Sequence, residues 1–215
     1  MKNPQIPIAR EGYPFIAFAF LVCIVIALLG YDLLALASLV LAGIVLFFFR
    51  DPERVSPDED DVVVAPADGK VILIEKVFDD QYVNEHVYKV SIFMNVFNVH
   101  VNRIPFPGKV KKIDYSPGKF YAANTELGAM HNEKCGVVIT TPSQRSFAVV
   151  QVAGMLACRI VCWAEKGDEV RRGERFGLIR FGSRVDLYLP QQLQMEVSVG
   201  QRVKAGETIL GYLPQ

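Results

Sequence analysis

Three side chains that together could perform nucleophilic chemistry are Asp68, His100 and Ser183, far apart in the chain. A serine hydroxyl is a weak nucleophile until a base removes its proton, and a histidine oriented by a carboxylate is a common base for that task. The chain order Asp, His, Ser occurs among serine hydrolases, but geometry rather than order defines such sites. The sequence around the serine is FGSRV, which lacks the G-x-S-x-G nucleophile elbow. A hydrolase is therefore one open hypothesis.

Each of these residues also has an ordinary structural interpretation. The pair Gly182-Ser183 is typical of a turn between two apolar stretches of β character. Asp68-Gly69 is a strong hairpin signal, and a lone histidine in a β-rich run such as His100 is more often structural than catalytic. The other histidines are predicted to lie at the surface (His86) and in a polar loop (His131). The residue types alone therefore do not show whether these three residues form a catalytic site.

The overall composition excludes some classes of function. Lys plus Arg and Asp plus Glu both total 23, so the chain lacks the basic footprint of a nucleic-acid-binding protein. Its four cysteines form no C-x-x-C pair and no Cys/His cluster, which predicts neither a metal site nor a disulfide framework. Reduced, buried cysteines suit a cytoplasmic domain.

Apolar residues are concentrated in the first 49 positions, which we interpret as a membrane hairpin. Residues 14–30 and 33–49 carry no charge, and each run corresponds to about 25 Å of helix, near the short end of a membrane span. The turn between them contains Asp32 but no Lys or Arg, whereas Lys2, Arg10, Arg50 and Arg54 flank the pair. The positive-inside rule then predicts that both ends lie on the cytoplasmic side.

The remainder of the chain has the pattern of a mainly β domain. Residues 50–61 are charged and contain two prolines, which indicates a linker, and residues 62–215 alternate short β-rich runs with glycine turns. Only residues 124–134 have helical or loop character. The motif G-x-x-V-[RK]-x-G-E occurs at residues 167–174 and again at 200–207. Such a repeat is typical of the barrel-sandwich of lipoyl- and biotinyl-like domains, which is the fold that we predict.

Five motifs in one order carry a resemblance to a known family. They are FRDP at the end of the hairpin, APADGKV (65–71), NVHVNRIP (98–105), NTE with HNEK (124–134), and FGSRVDLYLP followed by GQRVKAGETILGYL (181–213). Together they resemble the short bacterial and archaeal form of the phosphatidylserine decarboxylase proenzymes. The resemblance extends over nearly the whole chain.

The resemblance implies a reaction on the protein itself and then one on a lipid. Members cut themselves at a Gly–Ser bond, here Gly182–Ser183, giving chains 1–182 and 183–215, and the serine becomes a covalent pyruvoyl group. The amine of phosphatidylserine forms a Schiff base with that group, and phosphatidylethanolamine and CO2 are released without an external cofactor or metal. The matching helpers in self-cleavage are Asp68 and His100, and His100 is also the candidate proton donor in decarboxylation. The resemblance also implies attachment to a membrane, and it is compatible with a homo-oligomer.

The sequence departs from the longer family members at two positions. They have Leu-Gly-Ser-Thr where this chain has Phe-Gly-Ser-Arg, ending at Arg184, and a second histidine where this chain has Arg103. The planar guanidinium of Arg103 suits a lipid phosphate, so it is a candidate substrate-binding residue. Two rival hypotheses stay open besides the decarboxylase: a serine hydrolase, which would keep the Gly182–Ser183 bond intact, and a non-enzymatic barrel-sandwich adaptor, which would be a single uncut chain.

Overall fold

The computed structural model describes residues 7–119, 121–123, 125–141, 143–154, 159–180 and 182–214. Lys2, Cys158 and Phe181, which entered the sequence argument, lie outside these residues. The chain divides into two compact units with the boundary between Glu53 and Arg54. The first unit is helical and the second is built from strands.

The helical unit is a pair of apolar helices whose side chains face outward. One turn of 3-10 helix (Arg10–Gly12) leads into α1 (Tyr13–Leu28), and α2 (Asp32–Phe48) packs against it after a short turn. The stretch Arg10–Leu28 is long and apolar enough to cross a membrane, whereas Asp32–Phe48 is a shorter apolar helix. One such helix is weak evidence of membrane association, and the membrane hairpin stays a prediction.

Among the described residues of the second unit there are one short helix and strands in three antiparallel sheets. The main sheet has eight strands in the order β13-β2-β3-β11-β7-β6-β5-β9, and the smaller sheets have the orders β1-β14-β12 and β4-β10-β8. The elements are β1 (Val62–Val64), β2 (Gly69–Asp79), β3 (Glu85–Met94), β4 (Val101–Arg103), β5 (Gly108–Ser116), α3 (Glu126–His131), β6 (Lys134–Thr140), β7 (Ser146–Val152), β8 (Ile160–Cys162), β9 (Glu169–Val170), β10 (Arg175–Ile179), β11 (Ser183–Pro190), β12 (Gln194–Met195), β13 (Arg202–Val203) and β14 (Ile209–Tyr212).

Strand β11 lies inside the main sheet, paired with β3 on one side and β7 on the other. Because side chains alternate between the faces of a strand, Val185, Leu187 and Leu189 enter the main core, and each is at most 1% exposed. The opposite face of the strand carries Arg184 and Asp186, which are also buried. Both faces of this strand are therefore covered.

The sequence repeat forms the two edges of the main sheet. In both copies the two glycines have positive φ, +100° and +74° in the first copy and +96° and +75° in the second, so the turns match. The valines of the two copies pair with equivalent glycines, Val170 with Gly108 and Val203 with Gly69. The two copies thus occupy equivalent positions in two similar halves.

The predicted mainly β character is confirmed, and the short helix α3 falls within residues 124–134, where helical character was expected. The barrel-sandwich assignment and the predicted domain bounds stay predictions. The segment predicted as a linker, residues 50–61, has little regular structure, but Arg54 within it has a side chain only 11% exposed. That arginine is part of the candidate site.

Truncation of the middle of β11 tests the importance of this strand. Leu187→Ala removes a fully buried side chain between two paired strands, so we expect a loss of about 2–5 kcal/mol in the free energy of unfolding. Val199→Ala, at a position 59% exposed, is the control and should change it by about 0.5 kcal/mol or less. Urea unfolding in detergent, monitored by circular dichroism, measures the free energy of unfolding of both variants. Equal losses would contradict the interior position of β11.

Candidate functional site

Ser183 is the first residue of β11 and lies directly opposite Met94, the last residue of β3. Its side chain is fully buried, and its hydroxyl donates to the thioether of Met94, with Oγ and Sδ 3.6 Å apart. A thioether is a weak acceptor, so this contact fixes the direction of the hydroxyl without holding it strongly. A buried serine at the start of an interior strand is therefore available for chemistry on its own backbone.

Gly182 precedes this serine with a backbone conformation that favours glycine. Its φ is +54°, in the left-handed region, and a Cβ built on it would have no heavy atom within 4 Å. The position therefore has room for a side chain, and the requirement for glycine comes from the backbone, where another residue would cost about 1–2 kcal/mol. The peptide bond between Gly182 and Ser183 is thus held in a conformation set by the two flanking strands.

His100 directly precedes β4 and lies beside the end of β10, which brings it to the same region. Its carbonyl oxygen accepts a hydrogen bond from the Ile179 N–H at 3.3 Å, so it lies beside the end of β10, just before Gly182. The ring Nδ1 lies 3.0 Å from the carbonyl oxygen of Asn98. Because a carbonyl can only accept, Nδ1 must carry the hydrogen, and Nε2 is the nitrogen that can take up a further proton. The side chain is 2% exposed.

Asp68 lies in the turn between β1 and β2, and two hydrogen bonds orient its carboxylate. Oδ1 accepts from the backbone N–H of Ala205 at 2.8 Å, and Oδ2 accepts from the Arg54 guanidinium at 3.0 Å. Arg54 also donates to Glu207 at 3.1 Å, so it bridges two carboxylates. The Asp68 carboxylate is thus fixed in place by a cation that sequence reasoning assigned to a linker.

Backbone pairing brings the segments of the three predicted residues to one end of the main sheet. The carbonyl oxygen of Pro66, in the Asp68 turn, accepts a hydrogen bond from the N–H of Arg103. Arg103 is the last residue of β4, and His100 directly precedes that strand. The turn then enters β2, where Lys70 pairs with Phe93, the residue before Met94. The turn before β2 therefore contacts the end of β4, and β2 leads to the end of β3 that pairs with Ser183.

Arg103 itself is buried at 4% exposure, and its Nη1 donates to the carbonyl oxygen of Gly173 at 2.8 Å. This bond ties β4 to the turn that precedes β10. The predicted role of Arg103 in binding a lipid phosphate is not tested by this geometry and stays a prediction.

A series of buried, hydrogen-bonded side chains adjoins Ser183, and the sequence analysis did not predict it. Met94 Sδ also accepts from the Asn102 amide at 3.6 Å, and Asn102 Oδ1 accepts from the Gln151 amide at 2.9 Å. Both amide side chains are fully buried. A fully buried amide must be hydrogen-bonded to be tolerated, so this series fixes the side chains behind the serine. The available signal was the placement of Asn102 and Gln151 within otherwise apolar β-rich runs.

A buried ion pair follows Ser183 on the other face of β11. Arg184 Nη2 and Asp186 Oδ2 are 2.8 Å apart, with side chains 6% and 5% exposed, and Arg184 Nη1 donates to the Ala123 carbonyl oxygen. Burial lowers the pKa of the half-buried Lys134 ammonium below its ordinary value, and the Arg184 charge lowers it further, while Asp186 opposes this. The alternation of charge with apolar residues in SRVDLYL could have indicated this pair.

The comparisons with known proteins agree on one family. A sequence profile described as phosphatidylserine decarboxylase matches residues 41–211. The phosphatidylserine decarboxylase proenzyme of Desulfotalea psychrophila (strain LSv54 / DSM 12343) is 54% identical over 213 residues, covering 99% of this chain and 100% of the relative. The proenzymes of Geotalea uraniireducens (strain Rf4) and Syntrophus aciditrophicus (strain SB) are 48% and 46% identical, covering 100% and 95% of this chain, and 100% and 96% of the relatives.

The buried ion pair gives a test of the electrostatics around the serine. Asp186→Asn leaves the Arg184 charge buried near Lys134, so we expect a loss of about 3–5 kcal/mol in the free energy of unfolding. Asp114→Asn breaks the more exposed pair with Lys112 and should cost about 1 kcal/mol or less. Chemical denaturation of the two variants measures the difference, and similar losses would contradict a buried, tightly coupled pair.

Proposed function

Because the chain belongs to the phosphatidylserine decarboxylase family, and is therefore a decarboxylase proenzyme, we propose that it cuts itself between Gly182 and Ser183. In this proposal the serine becomes the pyruvoyl group, and the mature enzyme converts phosphatidylserine to phosphatidylethanolamine and CO2. The observation that carries the proposal is the position of Ser183, buried at the start of an interior strand behind a left-handed glycine.

The first step is an acyl shift along the backbone. Ser183 Oγ attacks the carbonyl carbon of Gly182, the C–N bond breaks, and the Gly182 acyl group passes from the nitrogen to the oxygen as an ester. The hydroxyl must lose its proton for this attack. His100 is the proposed base because Nε2 is the ring nitrogen that can accept, while Nδ1 is committed to the Asn98 carbonyl.

Asp68 is proposed to assist at the same end of the sheet as a fixed negative charge. A carboxylate near a histidine favours the protonated ring that forms when the serine proton is transferred. Its orientation is set by Arg54 and by the Ala205 N–H, so the charge needs no rearrangement as the reaction proceeds.

The second step breaks the ester. Loss of a proton from Cα of Ser183 and departure of the Gly182 carboxylate from its Cβ leave dehydroalanine, which water hydrolyses to a pyruvoyl group and ammonia. The surroundings fit such a group, because the side chain of Ser183 is fully enclosed and adjoins the weakly polar sulfur of Met94. When formed, the pyruvoyl group supplies a carbonyl that combines with a substrate amine and accepts the electrons released with CO2.

Strand pairing is expected to hold the small chain, residues 183–215, in place after the cut. Strands β11, β13 and β14 all lie within residues 183–215, and each pairs with a strand of the large chain: β11 with β3 and β7, β13 with β2, and β14 with β1. The backbone hydrogen bonds and the core contacts of β11 do not depend on the Gly182–Ser183 bond. The two chains are therefore expected to remain one folded unit.

We also propose that the helical unit holds the enzyme at the cell membrane, with both ends of the hairpin on the cytoplasmic side. Support comes from the apolar, outward-facing surfaces of α1 and α2 and from Arg10 and Arg50 beyond the two ends of the pair. A diacyl lipid substrate lies at the bilayer interface, so a membrane attachment keeps the catalytic unit near it.

Intact-mass spectrometry of the purified protein tests the self-cleavage. We expect two chains that end at Gly182 and begin at residue 183, the second with the mass of a pyruvoyl terminus, and they should co-elute until denatured. Ser183→Ala should give one uncut chain, whereas Ser146→Ala, a serine away from this bond, should be cut normally. An uncut wild-type chain would favour the adaptor or the hydrolase instead, and reaction of Ser183 with a fluorophosphonate probe separates those two.

Replacement of each histidine tests the proposed base. His100→Gln should slow self-cleavage by about 10²–10⁴-fold, the usual contribution of a general base. His86→Gln and His131→Gln, at exposed positions, should be cleaved at the wild-type rate. The rate is followed by gel electrophoresis after synthesis in a cell-free system with lipid vesicles. Normal cleavage of His100→Gln would exclude it as the base.

A further inference from the structure

Two cations face each other at the edge of the main sheet near the start of β11. Lys70 on β2 pairs directly with Arg202 on β13, and both side chains are exposed. Like charges directly opposite each other on paired strands destabilise a sheet. The pair is therefore unfavourable for the isolated protein and would be relieved by an anion between or above the two groups.

The opposite edge of the same sheet provides an internal comparison. There the first copy of the repeat pairs Lys109 with Glu169, so the equivalent contact joins opposite charges. The two copies differ at this position, GDEV in one and GQRV in the other, although their turns and strand pairing match. The like-charged pair is thus particular to the β13 edge, and the turns and strand pairing that the two copies share do not require it.

A turn with an apolar tip lies next to these cations. Phe97 is 70% exposed and Val96 is 39% exposed, between β3 and His100. The turn is closed by its own asparagines: the Asn95 N–H donates to the Asn98 side chain, and the Phe97 N–H donates to the Asn95 side chain, both at 2.9 Å. These backbone donors are therefore satisfied within the turn, which lowers the cost of placing it at an apolar boundary.

The cations and the turn form one continuous surface around a cleft of about 470 Å³. We name this the edge surface, and it is lined by Gly69, Lys70, Phe93, Asn95, Phe97, Asn98 and Arg202. Among these described residues there are two cations, two asparagines and no carboxylate. An exposed aromatic tip beside basic side chains is typical of a surface that binds an anionic membrane.

We propose that the edge surface docks on the anionic phospholipid bilayer, with Phe97 and Val96 entering the interface and with Lys70 and Arg202 binding lipid phosphates. This inference rests on the proposed function, since it gives the decarboxylase a second contact with the membrane besides its helices. The edge surface includes the start of β2 and the turn that follows β3, so it lies at the end of the main sheet where β3 ends at Met94 and β11 begins. Docking therefore brings lipid headgroups to the end of the sheet that holds Ser183.

Fluorescence quenching in lipid vesicles tests the docking with the full-length chain. The chain contains one tryptophan, so Trp163→Phe gives a silent background, and Phe97→Trp then reports the tip of the turn. Ser183→Ala is added so that the chain remains whole. The vesicles contain phosphatidylcholine and phosphatidylglycerol, with bromine on acyl carbons near the headgroups. We expect strong quenching of the tryptophan at position 97, and weaker quenching as salt is raised, because salt screens the cations.

The matched control lies at the far end of the same strand pair. Phe78 on β2 is 55% exposed, so Phe78→Trp should report a similar side chain away from the edge surface and should stay unquenched. Equal quenching at both positions would overturn the proposal. A tryptophan at position 97 that is shielded from both bromine and aqueous iodide would place another protein copy on the surface, and this result would also overturn it.

The repeat itself supplies the decisive variant. Arg202→Glu gives this edge the charge pairing of the other edge, so the thermal stability of the chain should stay the same or rise. Quenching at position 97 should fall, with the docked-to-undocked ratio lower by about fivefold or more for the loss of a cation at an anionic surface. The exposed control Lys76→Gln should leave it unchanged. Unchanged quenching in Arg202→Glu would overturn the role of the cations.

Failure of docking and failure of the proposed function are distinguishable. The quenching measurements use an uncut chain and depend only on its position at the membrane, whereas intact mass reports the self-cleavage alone. A chain that cuts itself normally but leaves position 97 unquenched contradicts the docking and leaves the decarboxylase in place.

Discussion

The position of β11, paired with β3 on one side and with β7 on the other, organises the end of the main sheet that carries Ser183. This pairing places Ser183 at the first position of β11. It also places Gly182, with its left-handed backbone, between β11 and strand β10 of the β4-β10-β8 sheet. Hydrogen bonds to β3 and β7 hold the residues that follow the Gly182–Ser183 bond, and these hydrogen bonds do not depend on that bond. A peptide bond in this position can be broken without unfolding the sheet, because the backbone hydrogen bonds on both sides of β11 remain. The self-cleavage that we propose depends on this property.

Burial of charged groups in two ion pairs is a second feature of the candidate site. Arg54 and Asp68 on one side, and Arg184 and Asp186 on the other, are ion pairs whose side chains are largely removed from water. Buried pairs gain little stability over apolar replacements, because desolvation offsets their attraction. Their contribution is orientation, because each charged group is held by a fixed partner.

The two similar halves of the second unit carry different charge pairs at their edges. Both copies of the repeat make an edge strand with the same turns, yet one edge pairs Lys109 with Glu169 and the other places Arg202 opposite Lys70. Edge strands tolerate such changes because their outer side chains face solvent. Functional differences can therefore accumulate at one edge while the shared core keeps the two halves alike.

Local sequence patterns were enough to predict the mainly β unit and the apolar helical pair, because alternation, uncharged runs and glycine turns can be recognised without the fold. The five motifs were likewise enough to indicate the family. It also singled out Asp68, His100 and Ser183 as a candidate site through the family's motifs. The folded chain was needed to show that Arg54, from a segment predicted as a linker, orients Asp68. It was also needed to place Met94, Asn102 and Gln151 behind the serine. These contacts join residues distant in the chain, and their partners follow from strand order and register, which local patterns do not specify.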